Sequence, residues 1–154
     1  MMILGAYGSG KTNVLLSYLG HRQPPFKHIY LCTRTLYQPK YQLLQESINE
    51  HNKEKKNLKN QIHFHAVDVN NIPDPEEVEE GAIVIFDDVL TEKQDRIANF
   101  FLRGRHRQIS CVCIISQSFT RLDKKNCIRS NMNYLILMPG IDGINLRRVV
   151  ESFQ

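Results

Sequence analysis

Gly5-Ala6-Tyr7-Gly8-Ser9-Gly10-Lys11-Thr12, directly behind the apolar run Met1-Met2-Ile3-Leu4, is the stretch on which the fold is decided. It follows the pattern G-x-x-x-x-G-K-[ST]. Glycines let a backbone close into a nest of N–H groups at a helix N-terminus, where anions bind. A lysine at the seventh position reaches β- and γ-phosphates, and the hydroxyl after it suits Mg²⁺. The flanks agree. An apolar strand precedes the loop, and Asn13-Val14-Leu15-Leu16-Ser17-Tyr18-Leu19 follows with helical periodicity. A glycine-rich turn matching by chance would not be expected to carry both flanks. The stretch predicts a nucleoside triphosphate site, for ATP with Mg²⁺, with Gly5, Ala6, Tyr7, Gly8, Ser9, Gly10, Lys11, Thr12 and Asn13 around the phosphates.

At 154 residues the length fits one domain, 1–154, which at that size buries about two-thirds of its unfolded surface. Hydrophobic residues at 42% and charged residues at 23% match a soluble globular protein. The net charge of +4 is a mild excess that nucleic-acid binding tolerates but does not require. Of the four cysteines, Cys32, Cys111 and Cys113 fall within expected strands, and no C-x-x-C occurs. Cys111 and Cys113 with His63 and His65 match no standard zinc spacing. Reduced thiols in an intracellular compartment are the expectation. No apolar run approaches the roughly 20 residues of a membrane span. Only four residues precede Gly5, against about 5–6 in a typical strand, so the central strand is short or the chain lacks an N-terminal extension.

Further along, Gly20 is the expected C-cap of the first helix, ahead of Pro24-Pro25. Strands are expected at 27–33, 61–67, 82–86, 109–115 and 134–138. Helices are expected at 41–59, from Thr91 as N-cap to 103, near 120–129, and from about 144. Residues 76–80 form an acidic turn closed by Gly81. Such alternation predicts an α/β fold, a parallel sheet with helices on both faces and right-handed crossovers, whose active edge is the C-terminal ends of the strands.

Asp87-Asp88 closes the apolar strand Ala82-Ile83-Val84-Ile85-Phe86. A carboxylate at a strand tip opposite Thr12 supplies the hard oxygen that Mg²⁺ takes, a role expected of Asp87. Asp88 then orients and deprotonates the attacking water. If the strand 109–115 lies between the P-loop strand and the Asp87 strand, its end nears the γ-phosphate, making Gln117, then Ser116, candidates to sense it. The run Arg103-Gly104-Arg105-His106-Arg107 is either a basic surface loop or the source of a finger, Arg105 or Arg103, acting on a neighbouring subunit's nucleotide.

Taken in order, Gly-Ser-Gly-Lys-Thr-Asn, Ile-Phe-Asp-Asp, Phe-Leu-Arg-Gly-Arg-His-Arg-Gln-Ile-Ser and Ile-Ser-Gln-Ser resemble the viral genome-packaging ATPases of the FtsK–HerA superfamily, in the branch of poxviruses, other large DNA viruses and virophages. Arg129-Ser130-Asn131 also looks like that branch. The resemblance runs from residue 1 to about 139. It implies an ASCE/RecA-like P-loop NTPase fold and a homo-oligomeric ring that hydrolyses ATP to move double-stranded DNA into a preformed capsid. Lys11 and Thr12 match its Walker A residues, Asp87 and Asp88 its Walker B acids, Gln117 its sensor, and Arg103/Arg105 its trans-acting arginine. Cellular members usually carry glutamate where Asp88 stands, and many relatives carry larger N- and C-terminal segments. A capsid or portal component is the implied protein partner, without a membrane. The implied location is the host-cell cytoplasm or viral factory, with association to the virion.

Basic residues expected to meet DNA are Arg121, Lys124 and Lys125, or the run 53–59, which reads equally as a solvated helix face. Two alternatives share the first motif: a P-loop small-molecule kinase, and a nucleotide-binding assembly switch with little hydrolysis.

Overall fold

Six apolar runs form one sheet in the structure, a computed structural model that describes residues 1–55, 57–91, 94–122 and 127–153. In chain order they are β1 (Met2–Leu4), β2 (His28–Thr33), β3 (His63–Val67), β4 (Ile83–Asp87), β5 (Cys111–Ser116) and β6 (Leu135–Leu137). The spatial order is β3-β2-β4-β5-β1-β6, and every adjacent pair is parallel. Parallel neighbours need crossovers, supplied here by α1 (Lys11–His21), α2 (Pro39–Glu54) and α3 (Asp95–Arg103), while α4 (Gly143–Ser152) follows β6. β5 lies between β1 and β4, the arrangement expected of a RecA-like P-loop NTPase.

The period of two along each strand divides the core into two layers. Ile3, Ile83, Ile85, Cys113 and Ile115 face α1 and α2, meeting Leu15, Leu19, Tyr41 and Ile48. Met2, Leu4, Val84, Phe86 and Ile114 face the opposite layer, with Ile97 and Phe100 of α3 and Val149 of α4. Both faces of β4 are covered, which is why its sequence is a continuous apolar run rather than an alternating one. Asp87, last in that strand, has the parity of Ile83 and Ile85 and so belongs to the α1/α2 face.

Several element ends differ from expectation, for local reasons. Gly20 does not cap α1; the helix runs to His21 with Arg22 at its C-cap, and Pro24, which restricts the residue before it, ends the run. α2 stops at Glu54 rather than 59, because Asn52 pairs with the backbone of Ile62 through two bonds of 2.8 Å and draws the chain back toward β3. Leu58 is accordingly exposed. Thr91 sits in a turn and Gln94 takes the N-cap position of α3.

The described residues of 120–129 are turns rather than helix, and 123–126 lie outside the described residues. Arg129 Nη2 donates to the carbonyls of Phe119 at 3.2 Å and Leu122 at 2.9 Å, acceptors that a helix would use for its own backbone. No described helix is long and apolar enough to cross a membrane.

Candidate functional site

At the C-terminal end of β1 the chain turns through Gly8 (φ 72°) and Gly10 (φ 91°), left-handed conformations that glycine adopts without steric cost. Gly10 is the N-cap of α1, and no side chain caps that end. The first amides of the helix therefore point toward the loop. Gly5 is required for a different reason: a Cβ there would stand 2.5 Å from Met138 Cβ and 2.7 Å from Ser9 Oγ. Met138 directly follows β6, so the loop packs against the neighbouring strand's exit. Tyr7 stands out at the tip, 90% exposed, and Asn13 is exposed in the first turn of α1.

Lys11 Nζ curls back over the loop and donates to the carbonyls of Gly5 at 2.9 Å and Ala6 at 2.6 Å. Burial pulls its ammonium below the usual lysine range, while the charges of Asp87 and Asp88 act the other way. That opposition places both acids in the electrostatic neighbourhood of Lys11. Ser9 Oγ is buried with no hydrogen-bond partner among the described residues.

Asp87 is 7% exposed. Its Oδ2 accepts from the Tyr41 hydroxyl at 2.5 Å, and the Thr12 side chain acts on the same phenol. Burial pushes the Asp87 carboxyl above the usual carboxylate range; Asp88 adds to this, and the Tyr41 bond and Lys11 oppose it. Burial likewise raises Tyr41, with the charge of Asp87 and its hydrogen bond reinforcing the effect. Three elements, the start of α1, the start of α2 and the tip of β4, thus converge on one phenol. Tyr41 opens the helix expected at 41–59 and is not among the candidate site residues of the sequence. Its signal was available, because a tyrosine at a buried position needs a partner for its hydroxyl.

Asp88 is exposed and left-handed, at φ 55°, a conformation that aspartate tolerates better than most residues. Its amide donates to the Ile115 carbonyl at 3.2 Å, tying the turn after β4 to β5. Gln117 follows β5 and is exposed at the same edge. Ser116 is buried and spent locally: its hydroxyl donates to the Ser118 carbonyl and accepts from the Ser118 amide, each at 3.1 Å.

Buried Asn145 holds the loop behind Gln117. Its Oδ1 accepts the Phe119 amide at 2.7 Å, while Asp142, the N-cap of α4, accepts the Asn145 amide at 2.8 Å. Arg129 secures the same loop from the other side, with its guanidinium 4.7 Å over the Phe119 ring. Asn145 was not anticipated; an inward polar residue in an amphipathic first turn is its only sequence signal.

The arginines are elsewhere. α3 starts beyond the tip of β4 and returns toward the starting edge of the sheet, where Gly81 donates to the Gln108 carbonyl at 2.8 Å. Arg103 pairs with Glu76 at 3.1 Å, and Arg107 Nη2 donates to the Glu76 carbonyl at 3.2 Å. Arg105 is exposed on the same turn. The chain therefore separates Arg103 and Arg105 from its own glycine-rich loop by the length of the strands. Arg121 is exposed at the loop edge; Lys124 and Lys125 lie outside the described residues. Lys53, Lys55 and Lys59 are exposed toward the opposite edge, and Lys56 is outside the described residues.

Thr12 and Asp87 offer hard oxygens at the loop edge, a hydroxyl and a carboxylate. Mg²⁺ takes few protein ligands and completes its shell with water and phosphate oxygens, so two hard oxygens beside a lysine suit it. Cys111 and Cys113 stand on β5, separated from His63 and His65 of β3 by two intervening strands. They form no joint site.

The family model described as Poxvirus A32 protein matches residues 1–148. No curated protein matches the chain. Among solved structures, the cytoplasmic domain of EssC is similar in fold, with TM-score 0.53 at 16% identity, over 97% of this chain and 34% of that chain. The chain thus spans about a third of the matched chain's length.

Proposed function

The chain belongs to the Poxvirus A32 protein family, DNA-packaging ATPases of the FtsK–HerA superfamily, and from that premise we propose that it is the ATP-hydrolysing motor domain that moves double-stranded DNA into a preformed capsid. The observation that carries the site assignment is the convergence of Thr12, Tyr41 and Asp87 beside Lys11. It supports a P-loop in which phosphate binding and acid placement share one buried scaffold.

In this reading the amides at the α1 N-terminus and the Lys11 ammonium bind the phosphates of ATP, Lys11 exchanging the Gly5 and Ala6 carbonyls for phosphate oxygens. Thr12 and Asp87 would hold Mg²⁺, which would neutralise phosphate charge when bound. Asp88 accepts the proton of the water that attacks the γ-phosphorus, and Gln117 orients that water. Asn145 and Arg129 keep the Gln117 loop in place. Arg105 is favoured over Arg103 as the arginine acting on a neighbouring subunit, because Arg103 is engaged with Glu76.

A homo-oligomeric ring follows from that role, and the nucleotide is completed by two subunits. DNA is gripped through phosphates, so binding depends steeply on salt and little on sequence. The capsid or portal is the protein partner, and the host-cell cytoplasm or viral factory is the place of action.

The test is ATP hydrolysis by the purified protein with and without double-stranded DNA across a salt series, alongside its mass in solution. Salt-sensitive stimulation by DNA in an oligomer is the expected result. Phosphate transfer to a small acceptor, or nucleotide binding with no DNA-stimulated release of phosphate from an assembled oligomer, would overturn it.

A further inference from the structure

Away from the nucleotide edge, four aromatic rings lie along one face of the β2–β3 pair. The register sets His28 beside His63 and Tyr30 beside His65. His28 stacks on His63 at 4.9 Å and on His65 at 5.6 Å, and Tyr30 stacks on His65 at 4.2 Å with ring planes 9° apart. Stacking fixes the ring planes and aims two nitrogens at each other: His28 Nδ1 and His65 Nε2 are 3.3 Å apart. Glu79, in the segment before β4, brings Oε2 to 4.0 Å from His28 Nδ1. The Tyr30 hydroxyl donates to the same oxygen. All three ligand atoms lie within 4.8 Å of one another.

We infer that His28, His65 and Glu79 form a binding site for a borderline divalent transition metal, Zn²⁺ first, with one coordination position left open. Two imidazole nitrogens around zinc, each about 2.0–2.1 Å from the metal, stand about 3.3 Å apart in a tetrahedron, which is the spacing found here. The carboxylate oxygen has only to close in by a small side-chain rotation, and Glu79 is half exposed and able to make it. Two imidazoles and a carboxylate are a donor set that zinc accepts and that Mg²⁺, which prefers oxygen, does not.

Tyr30 supplies the outer hydrogen bond that orients a ligating carboxylate. Burial keeps His28 below the usual histidine range, and the Tyr30 bond keeps Glu79 below the usual carboxylate range. In the metal's place the 3.3 Å contact is a hydrogen bond between the two rings. Coordination replaces its shared proton.

The metal would tie the hydrogen-bonded pair β2–β3 to the segment before β4. Glu79 also lies three residues after Glu76, which holds Arg103 and Arg107. The site is thus built into the support of the arginine turn and is independent of the phosphate loop.

The test uses the full chain, stripped with a chelator and titrated with Zn²⁺ against a chromogenic competitor, with Co²⁺ absorption reporting coordination. One equivalent of Zn²⁺ at submicromolar affinity and a Tm that rises with Zn²⁺ are expected. His28→Gln and His65→Gln should each abolish stoichiometric binding, and Tyr30→Phe should weaken it about 10-fold. His106→Gln should leave it intact. Circular dichroism and nucleotide affinity show that each variant is folded. Absence of a stoichiometric site in the wild-type protein overturns the inference, as does Zn²⁺ binding that survives His28→Gln and His65→Gln together. If a histidine variant does not fold, the wild-type stoichiometry and the Tyr30→Phe shift decide it.

Discussion

Tyr41, on the first turn of α2, donates its hydroxyl to Asp87 Oδ2 at 2.5 Å, joining a crossover helix to the tip of β4 inside the core. The bond holds a buried carboxylate that lies in the field of Lys11 and Asp88. Tyr41→Phe keeps the ring and removes the donor. Leaving the acceptor unsatisfied costs about 1–3 kcal/mol, and in a domain of this size each kcal/mol moves Tm by about 2–4 °C. Thermal melts should show that loss, together with a weaker dependence of nucleotide binding on Mg²⁺. An unchanged Tm would mean that the bond contributes nothing to stability.

Asp87 itself should carry a pH signature. Its folded pKa is raised by burial, so the folded state binds more protons than the unfolded state across the window that starts near the ordinary aspartate value, about 3.9. Stability from this group is present below that value and falls as pH rises through the folded pKa. Asp87→Asn removes the term. The variant should gain Tm relative to wild type at pH 7 and lose that advantage near pH 4, while hydrolysis stops. Parallel pH dependences in the two proteins would refute the assignment.

Lys11→Ala and Asp88→Asn separate binding from chemistry. Loss of the ammonium should weaken ATP binding and reduce turnover about 100–1000-fold. Asp88→Asn should leave ATP bound and cut hydrolysis at least about 100-fold, the scale of a lost general base. Equilibrium binding of a fluorescent nucleotide and phosphate release read the two effects separately; wild-type turnover in Asp88→Asn would remove it as base.

Arg105→Ala should lower the rate of assembled protein by roughly 10³–10⁵ with little change in melting, since its side chain is exposed. Mixing Arg105→Ala with Lys11→Ala subunits should recover part of the activity, because some interfaces then pair an intact loop with an intact arginine. Mixed assemblies without recovery at any ratio would exclude action across the interface. Arg103→Ala should instead lower Tm slightly, through loss of the exposed Glu76 pair, worth about 0.2–1 kcal/mol.

The order of the six strands and of α1 to α4 was legible from apolar runs and their periods, the helix expected near 120–129 excepted, and Lys11, Thr12, Asp87 and Asp88 are candidates by spacing. What the spacing could not carry was which side chains complete the neighbourhood. Tyr41 comes from 29 positions beyond Thr12, and its helical period marks a face without naming the acid that the face meets. Asn145 is bound to Phe119 across a strand and a loop. Element ends failed where a distant side chain intervened, as Asn52 does at the end of α2 and Arg129 does around Phe119. Histidines at 28 and 65 fell on separate strands, and only their register makes them neighbours.

The phosphate loop and the Arg105 turn occupy opposite edges of one sheet, and this fixes the symmetry by which copies can cooperate. A two-fold pair could serve only if one self-complementary patch carried both features, Arg105 of each copy meeting the loop of the other. Features at opposite edges are met instead by a heterologous, head-to-tail contact, which sets Arg105 of one copy against the loop of the next and repeats until it closes. Turnover then belongs to the contact rather than to the polypeptide. Diluted below the dissociation constant of that contact, the protein should keep its nucleotide and lose its rate.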